Sequence, residues 1–221
     1  MSDKSNKYGY VGVDIPAQSF GSNKGVFNPA EINDLVANNQ WTTFGQLELI
    51  ETQSITSSTA SMIFSNIQES TYNVHFLTYN NFQPVTNADR LGLRFFESGV
   101  EESGSVYQYA NQIGRADGTF VESRNTANNH IRLGTNVENT ATNSDNGYIY
   151  FYNLGDSSKY SFTTIHTTGN FSTSPNPLQF EFGSGVLPQA SLVNQIKLYI
   201  GNNSANNIAN LQASLYGIRY S

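Results

Sequence analysis

The sequence predicts an all-β fold, an antiparallel β-sandwich of two sheets preceded by an extended N-terminal arm and one short helix. From Leu47 onward, about a dozen short runs of β-branched and aromatic residues are separated by clusters of Gly, Asn, Asp, Ser or Pro. Nothing after Trp41 has the period and length of a long helix. No repeat of about 20 to 50 residues appears, which disfavours solenoids and propellers.

We predict one continuous sandwich over residues 47–221. Short apolar runs bounded by turn residues define its strands. The predicted strands are 47–52, 61–64, 72–79, 91–97, 105–113, 118–123, 130–133, 147–154, 161–167, 178–182, 195–200 and 214–220. The loops between them include three Asn-rich stretches, where Asn tolerates left-handed backbone: 125–129, 136–146 and 202–210.

Side-chain patterns assign faces and turns to some of these strands. Every residue of 148–152 is large, which is typical of a strand covered on both faces, whereas 91–95 alternates and favours one exposed face. The sequences Ala-Asp-Gly at 116–118 and Asp-Asn-Gly at 145–147 are hairpin signals. They predict strand pairs around residues 105–123 and 130–154.

Residues 1–27 are predicted to form an extended arm, because glycines interrupt every short run. Its aromatic residues Tyr8, Tyr10, Phe20 and Phe27 are too many for a solvated linker. The arm is therefore expected to pack on something. Its own domain and a neighbouring subunit are equally good candidates.

Residues 28–46 are predicted to be a short helix and a linker. Asn28 can cap the helix, Pro29 fits its first position and Glu31 completes a capping box. The helix should end at Asn38-Asn39 after about ten residues, too short to be stable without packing. The single tryptophan, Trp41, then closes the segment. The apolar face of the helix consists of Ile32, Leu35 and Val36.

The composition excludes some classes of function. Net charge is -6 and Lys plus Arg number only 11, which argues against nucleic-acid binding. With no cysteine there is no disulfide framework or thiolate metal site. The first residues lack the apolar core of a signal peptide, and no apolar run reaches the roughly 20 residues that span a bilayer. We therefore expect a soluble protein that is not secreted by that route and is not inserted in a membrane.

A search for catalytic and metal-binding patterns favours a protein that is not an enzyme and has no cofactor. Neither a G-x-S-x-G elbow nor a phosphate-binding G-x-x-x-x-G-K-[ST] loop occurs. His75, His130 and His166 form no local metal pair, so His75 is expected to be buried or at the rim and His166 exposed. The nearest approach to a calcium site is Asn143, Asp145, Asn146 and Asp156, for which turn chemistry is the favoured interpretation. The carboxylates that could serve a glycosidase are Glu97, Glu101, Glu102, Glu122 and Glu181, of which Glu101 and Glu102 are expected to be solvated.

Carbohydrate binding stays open as an alternative. Aromatic faces stack on sugar rings and amides bond to hydroxyls, and the chain is rich in both kinds of side chain. Core packing is nevertheless expected for most of Tyr107, Tyr109, Tyr148, Tyr150 and Tyr152.

Several strings carry a resemblance to a known group of proteins. KYGYVGVDIP at 7–16, GVFNPAEI at 25–32 leading to Trp41, and LIET at 49–52 together resemble virion structural proteins, often called tail-fibre-like, of tailed phages that infect marine cyanobacteria. The strings at 193–199 and 213–218 are similar to the final hairpin of phage jelly-roll domains. This similarity implies that the two strands pair and that Gly217 relieves crowding beside Tyr216.

The resemblance implies a jelly-roll-like, non-enzymatic virion protein, made in the host cytoplasm and located on the particle exterior as a fibre or a tail or neck component. Capsid decoration and a receptor module for host surface glycans are the alternatives. Other virion proteins are the expected partners of the arm. We also expect a homo-oligomer, with a trimer as one form. The residues expected to dock on the particle are Tyr8, Tyr10, Val13, Ile15, Phe20, Phe27, Ile32, Leu35 and Trp41.

Overall fold

The computed structural model describes Phe27, residues 29–38 and residues 47–218. The chain divides between Phe44 and Gly45 into two units. The described part of the first unit is Phe27 and a helix, and the second unit contains all the described strands. Among the described residues, no helix is long and apolar enough to cross a membrane.

Helix α1 spans Pro29–Ala37, as the sequence predicted. Glu31 lies in its first turn, where a negative charge interacts favourably with the helix dipole. At the other end, the backbone N–H and the side-chain Nδ2 of Asn38 both donate to the carbonyl oxygen of Asp34, at 3.0 and 2.7 Å. These bonds satisfy a terminal carbonyl and end the helix. The predicted cap, Asn28, lies outside the described residues.

The described part of the second unit, residues 47–218, contains thirteen strands. Their bounds are β1 Leu47–Ile55, β2 Ser61–Phe64, β3 Val74–Pro84, β4 Leu91–Glu97, β5 Val100–Glu101, β6 Tyr107–Arg115, β7 Phe120–Asn128, β8 Ile131–Arg132, β9 Asp145–Tyr152, β10 Ser161–Asn170, β11 Leu178–Leu187, β12 Val193–Ile200 and β13 Ile208–Ile218.

The strands form two antiparallel sheets, which confirms the predicted β-sandwich. One sheet has eight strands in the order β1-β13-β3-β9-β10-β11-β6-β7. The other has the order β2-β12-β4-β5, with β8 also paired to β4. The pairings β1-β13-β3-β9 and β2-β12-β4-β8 are those of a jelly roll, two interleaved Greek keys. Strands β10, β11, β6 and β7 extend the first of these layers.

The structure corrects several local predictions. Strands β12 and β13 do not pair as a final hairpin, because β12 pairs with β2 and β4 while β13 pairs with β1 and β3 in the other sheet. The predicted turn at 145–147 is the start of β9. The predicted loop at 125–129 is mostly the end of β7, and β13 already begins within the predicted loop at 202–210. The Ala-Asp-Gly turn at 116–118 does join β6 to β7, with Gly118 at a φ of 88°.

The glycine near the end of β13 has a different role from the predicted one. A Cβ at Gly217 would overlap the ring of Tyr72, a buried side chain. Glycine is therefore required at this position by the close approach of Tyr72, and Tyr216 is not the cause.

The core lies between the two sheets. Each fully buried side chain contributes about 1.5 to 3 kcal/mol to the free energy of folding. Among the largest fully buried side chains are Tyr107, Phe64, Phe82, Phe95, Phe151 and Ile149. Strand β4 is more deeply buried than its alternation predicted, since Gly92 is also buried and Arg94 is only 11% exposed.

Candidate functional site

The outer face of the eight-stranded sheet is the candidate site, and β9 shows how the sequence produces it. Ile149 and Phe151 are fully buried in the core, whereas Tyr148 is exposed and Tyr150 and Tyr152 are half-buried. The run of large residues in β9 predicted a strand covered on both faces. The structure shows that only one face of the strand is covered. Its tyrosines point away from the core because successive side chains alternate between the two faces.

The neighbouring strands align further aromatic and apolar side chains with these tyrosines. Register places Phe76 between Tyr150 and Tyr216, and their rings lie 4.6 and 6.2 Å from that of Phe76 between centroids. We call the outward side chains of β1, β13, β3 and β9 the aromatic face. Its members are Leu47, Leu49, Thr52, Ser54, Gln212, Ser214, Tyr216, Ile218, Val74, Phe76, Thr78, Asn80, Tyr148, Tyr150 and Tyr152.

The aromatic face carries no charged side chain among these described residues, although the chain has 28 charged residues in all, 11 basic and 17 acidic. Leu49 is 61% exposed and Leu47 is 52% exposed, so the apolar area continues to the edge strand β1. The result is a contiguous uncharged surface of aromatic, aliphatic and small polar groups. Such surfaces are typical of contacts with a partner molecule.

On the same face of the sheet, a groove lies over the strands that follow β9, which are β10, β11, β6 and β7. Its floor is a row of small outward side chains in register across three strands, Thr164 on β10, Ser184 on β11 and Ala110 on β6. Because these side chains are small and their neighbours are large, two depressions of about 830 and 670 Å³ open beside this row. Both depressions share Ala110, Ser184 and Arg124.

Aromatic rings stand on both sides of the groove floor. On one side are Tyr148, 38% exposed, and Phe182, 50% exposed, and on the other is Phe162, 44% exposed. His166 on β10 lies between Tyr148 on β9 and Phe182 on β11. Its ring is 5.4 Å from that of Tyr148, and its Nδ1 is 3.2 Å from the Tyr148 hydroxyl. The groove walls therefore present flat apolar surfaces to solvent.

The far end of the groove holds its only charged lining residues among those described. Arg124 Nη1 lies 2.6 Å from Glu122 Oε2 on edge strand β7, and both side chains are largely exposed. Their charges cancel, and amides of Gln108, Gln112 and Asn125 lie beside them. The lining as a whole is neutral and rich in hydrogen-bonding groups.

Two acidic side chains with raised pKa values, Asp145 and Glu181, lie inside the sandwich, away from this face. Asp145 is completely buried, and burial raises its pKa well above the ordinary 3.8, while the Tyr79 hydroxyl donates to its Oδ2 at 2.7 Å. Glu181 is also completely buried, and burial raises its pKa although Arg132 contacts both carboxylate oxygens at 3.1 and 3.2 Å. Asn111 Nδ2 donates to the same carboxylate at 2.6 Å. These contacts connect strands of the core and are closed to a substrate.

A second polar cluster lies on the five-stranded sheet. His130 is buried, its Nδ1 lies 2.7 Å from Asn129 Oδ1 and its ring packs edge-on against Tyr199. Burial, reinforced by the cations of Arg90, Arg94 and Arg132, lowers its pKa to about 4. The imidazole is therefore neutral at pH 7. Two glycines make room for the ring, since a Cβ at Gly92 or at Gly201 would lie 2.9 Å from it.

The candidate metal ligands Asp145 and Asp156 lie in different surroundings. Asp145 is in the core with Tyr79, whereas Asp156 is in an exposed turn that it stabilises through Ser158 and Lys159. The prediction that Glu101 is simply solvated is wrong. Its carboxylate forms ion pairs with Arg94 and Lys197, each at 2.8 Å. No group of three or more His, Cys, Asp or Glu able to hold a metal ion occurs in the described part of the chain. The predictions for His75, buried, and His166, exposed, are confirmed.

Most of the predicted docking residues lie outside the described residues: Tyr8, Tyr10, Val13, Ile15, Phe20 and Trp41. Phe27 is half-buried, and Ile32 and Leu35 are the half-buried apolar residues of α1. Their predicted contact with another virion protein stays a prediction.

The sequence interpretation singled out Tyr109, Glu122, Tyr148 and His166 but did not predict the groove that they line, although one signal for it was present. Strand β10 alternates strictly between buried and exposed positions from Ser161 to Gly169, and Phe162 falls on an exposed one. The register that brings Thr164, Ser184 and Ala110 into one row depends on pairing between distant segments, which periodicity does not reveal.

Comparison of the chain with family models, with curated proteins and with solved structures gives no significant match.

Proposed function

We propose that this chain is a non-enzymatic structural component of a larger assembly, a virion protein that displays its β-sandwich outward as part of a fibre or of a tail or neck appendage. The resemblance of its terminal strings to virion proteins supports the virion setting. The observation that carries the assembly role is the aromatic face, because its described residues are uncharged throughout and Leu47, Leu49 and Tyr148 on it are exposed.

The size of the aromatic face supports an interface. Four strands spaced about 4.8 Å apart, each about 27 Å long over eight residues, cover roughly 500 Å². The polar Thr, Ser, Asn and Gln side chains take up part of this area, so the apolar part falls within the roughly 300 to 600 Å² of the largest patches on monomeric proteins, which are often functional. Tyrosine and phenylalanine are also the residues that interfaces enrich.

Its chemistry favours further copies of the same chain as the occupant. Each copy has a net charge of -6, so charged surfaces of two copies repel one another. The aromatic face has no charge to oppose in a copy, and rings of Phe76, Tyr150 and Tyr216 can pack on their equivalents. The proposed unit of assembly is therefore a homo-oligomer, with the N-terminal segment joining it to other virion proteins.

Sedimentation of the purified full chain tests this role. We expect a dimer or trimer at micromolar concentration, and Tyr150→Asp should shift it to monomer because a charge is placed in the centre of the face. Tyr160→Asp is the matched control, since Tyr160 is 47% exposed but lies outside the aromatic face. A monomeric wild-type chain, or an oligomer that Tyr150→Asp leaves intact, would exclude this interface. Electron microscopy of particles with antibody to the sandwich would test the virion location.

A further inference from the structure

We propose that the groove over Thr164, Ser184 and Ala110 is a binding site for a neutral oligosaccharide. This inference goes beyond the assembly role, and it uses the half of the sheet formed by β10, β11, β6 and β7 together with Tyr148 at the edge of β9. It is carried by a floor of small side chains, exposed aromatic rings on both sides and a lining with no net charge.

The shape of the groove fits an extended ligand. Its floor runs at right angles to the strands, from Thr164 on β10 through Ser184 and Ala110 to Arg124 on β7. Four strands at a spacing of about 4.8 Å give this row a length of roughly 14 Å. The two depressions, about 830 and 670 Å³, lie on either side of it. A ligand of several linked rings fills this space better than a single small molecule does.

The aromatic walls fit the apolar faces of sugar rings. Phe182 is stacked on Phe180, with centroids 6.2 Å apart and planes inclined by 6°, and this contact supports the Phe182 ring beside the groove floor. Phe162 stands across the floor from Phe182. A pyranose ring has C–H groups on its faces and hydroxyls around its rim. It can therefore contact the rings through its faces and still reach polar groups beside them.

The polar groups of the lining fit hydroxyls and not charged groups. The hydroxyls of Thr164 and Ser184 lie on the floor, and the amides of Gln108 and Gln112 lie toward β7. The carboxylate and the guanidinium among the described lining residues, Glu122 and Arg124, are paired with each other at 2.6 Å. An acidic glycan would have to break this pair and approach a chain of net charge -6. The complementary ligand is consequently an uncharged oligosaccharide.

Glycan-array screening of the full chain, followed by calorimetric titration with the best neutral hexasaccharide on the array, tests the site. Phe182→Ala and Phe162→Ala should each weaken binding by about 3- to 10-fold, as expected for the loss of one stacking ring. Ala110→Trp should abolish binding by filling the floor. Phe120→Ala is the matched control, because Phe120 is 68% exposed on the same sheet but lines neither depression.

Three outcomes would overturn the proposal: no neutral oligosaccharide binds, only acidic ones bind, or Phe182→Ala and Phe162→Ala bind as the wild type does. Capture of a protein ligand by the same residues would also overturn it. Thermal unfolding of each variant verifies that the fold is kept. Sedimentation of the same samples separates this site from the assembly role, since Phe182→Ala should lose oligosaccharide affinity and keep the oligomeric state.

Discussion

Acidification should destabilise the sandwich through His130, because this imidazole is held neutral in the folded chain. Its pKa falls from 6.5 to about 4 on folding, as burial and the cations of Arg90, Arg94 and Arg132 disfavour the charged ring. Its Nε2 is buried without a hydrogen-bond partner in the described structure, so nothing there stabilises a second proton. Unfolding exposes the ring and lets it take up that proton.

The size of the effect follows from the two pKa values. A His with a depressed folded pKa contributes its full stability above the unfolded pKa of 6.5, and this contribution is lost as the pH falls toward the folded pKa. At about 1.36 kcal/mol per pH unit, the interval between 6.5 and about 4 corresponds to about 3 kcal/mol in the free energy of unfolding. Burial lowers the pKa of His75 as well but raises the pKa values of Asp145 and Glu181, whose contributions change in the opposite direction, so the effect of His130 is read from the difference between wild type and a variant that lacks this imidazole.

Urea unfolding at a series of pH values measures this effect, with His130→Phe as the comparison. The phenyl ring keeps the edge-on contact with Tyr199 and cannot take up a proton. Wild type should lose about 3 kcal/mol more than His130→Phe between neutral pH and about pH 4. The difference between the two proteins at neutral pH measures lost packing and the lost Asn129 contact, and it serves as the baseline. Parallel loss of stability in both proteins over this interval would refute the reasoning.

Three further changes probe the interior. Arg132→Met should lower the free energy of unfolding, measured in urea, by about 3 to 5 kcal/mol because it leaves the buried Glu181 carboxylate without its ion-pair partner. Adding Glu181→Leu should restore most of this loss, and a double variant as unstable as the single one would contradict the reasoning. Asp145→Asn should flatten the pH dependence of stability above pH 3.8: burial raises the folded pKa of Asp145, so its stability contribution is full below 3.8 and is lost as the pH rises toward the raised value, which urea unfolding at a series of pH values would measure. Gly217→Ala should lower thermal stability by about 1 to 3 kcal/mol because the methyl group overlaps the buried Tyr72 ring, and an unchanged melting temperature would exclude the overlap.

Local sequence patterns were enough to predict the class of fold and many of its strands. β2 and β4 have the predicted bounds, and β6, β10 and β12 begin or end within a few residues of them. The short helix also has nearly the predicted length. These elements are defined by runs of apolar residues and by the turn residues beside them, and both signals are local.

Sheet membership was not predictable in this way. Strands β12 and β13 follow one another in the sequence and were predicted to pair as a hairpin. Long-range pairing instead places them in opposite sheets. Asp145-Asn146-Gly147 has turn chemistry, but Asp145 is held in β9 by pairing with Gly169 and by Tyr79. Tertiary contacts determine both outcomes.

The candidate site was predicted only in its composition. The tyrosines of β9 were identified as residues that could bind sugars and were then assigned to the core, because a strand of uniformly large residues can be covered on both faces. Their exposure depends on the absence of a third layer over this part of the described sandwich. The sequence of β9 alone carries no information about that layer.

Pairing of β1 with β13 joins the two ends of the sandwich, from Leu47 opposite Ile218 to Ile55 opposite Leu211. During translation, β1 leaves the ribosome long before β13 exists, so its partner edge is missing until the last strand is made. The eight-stranded sheet can therefore be completed only after synthesis of β13, and loop-closure entropy makes such late, distant pairing slow. A nascent chain stalled before β13 should bind chaperones that recognise open strand edges, and release of the final strand should end that dependence.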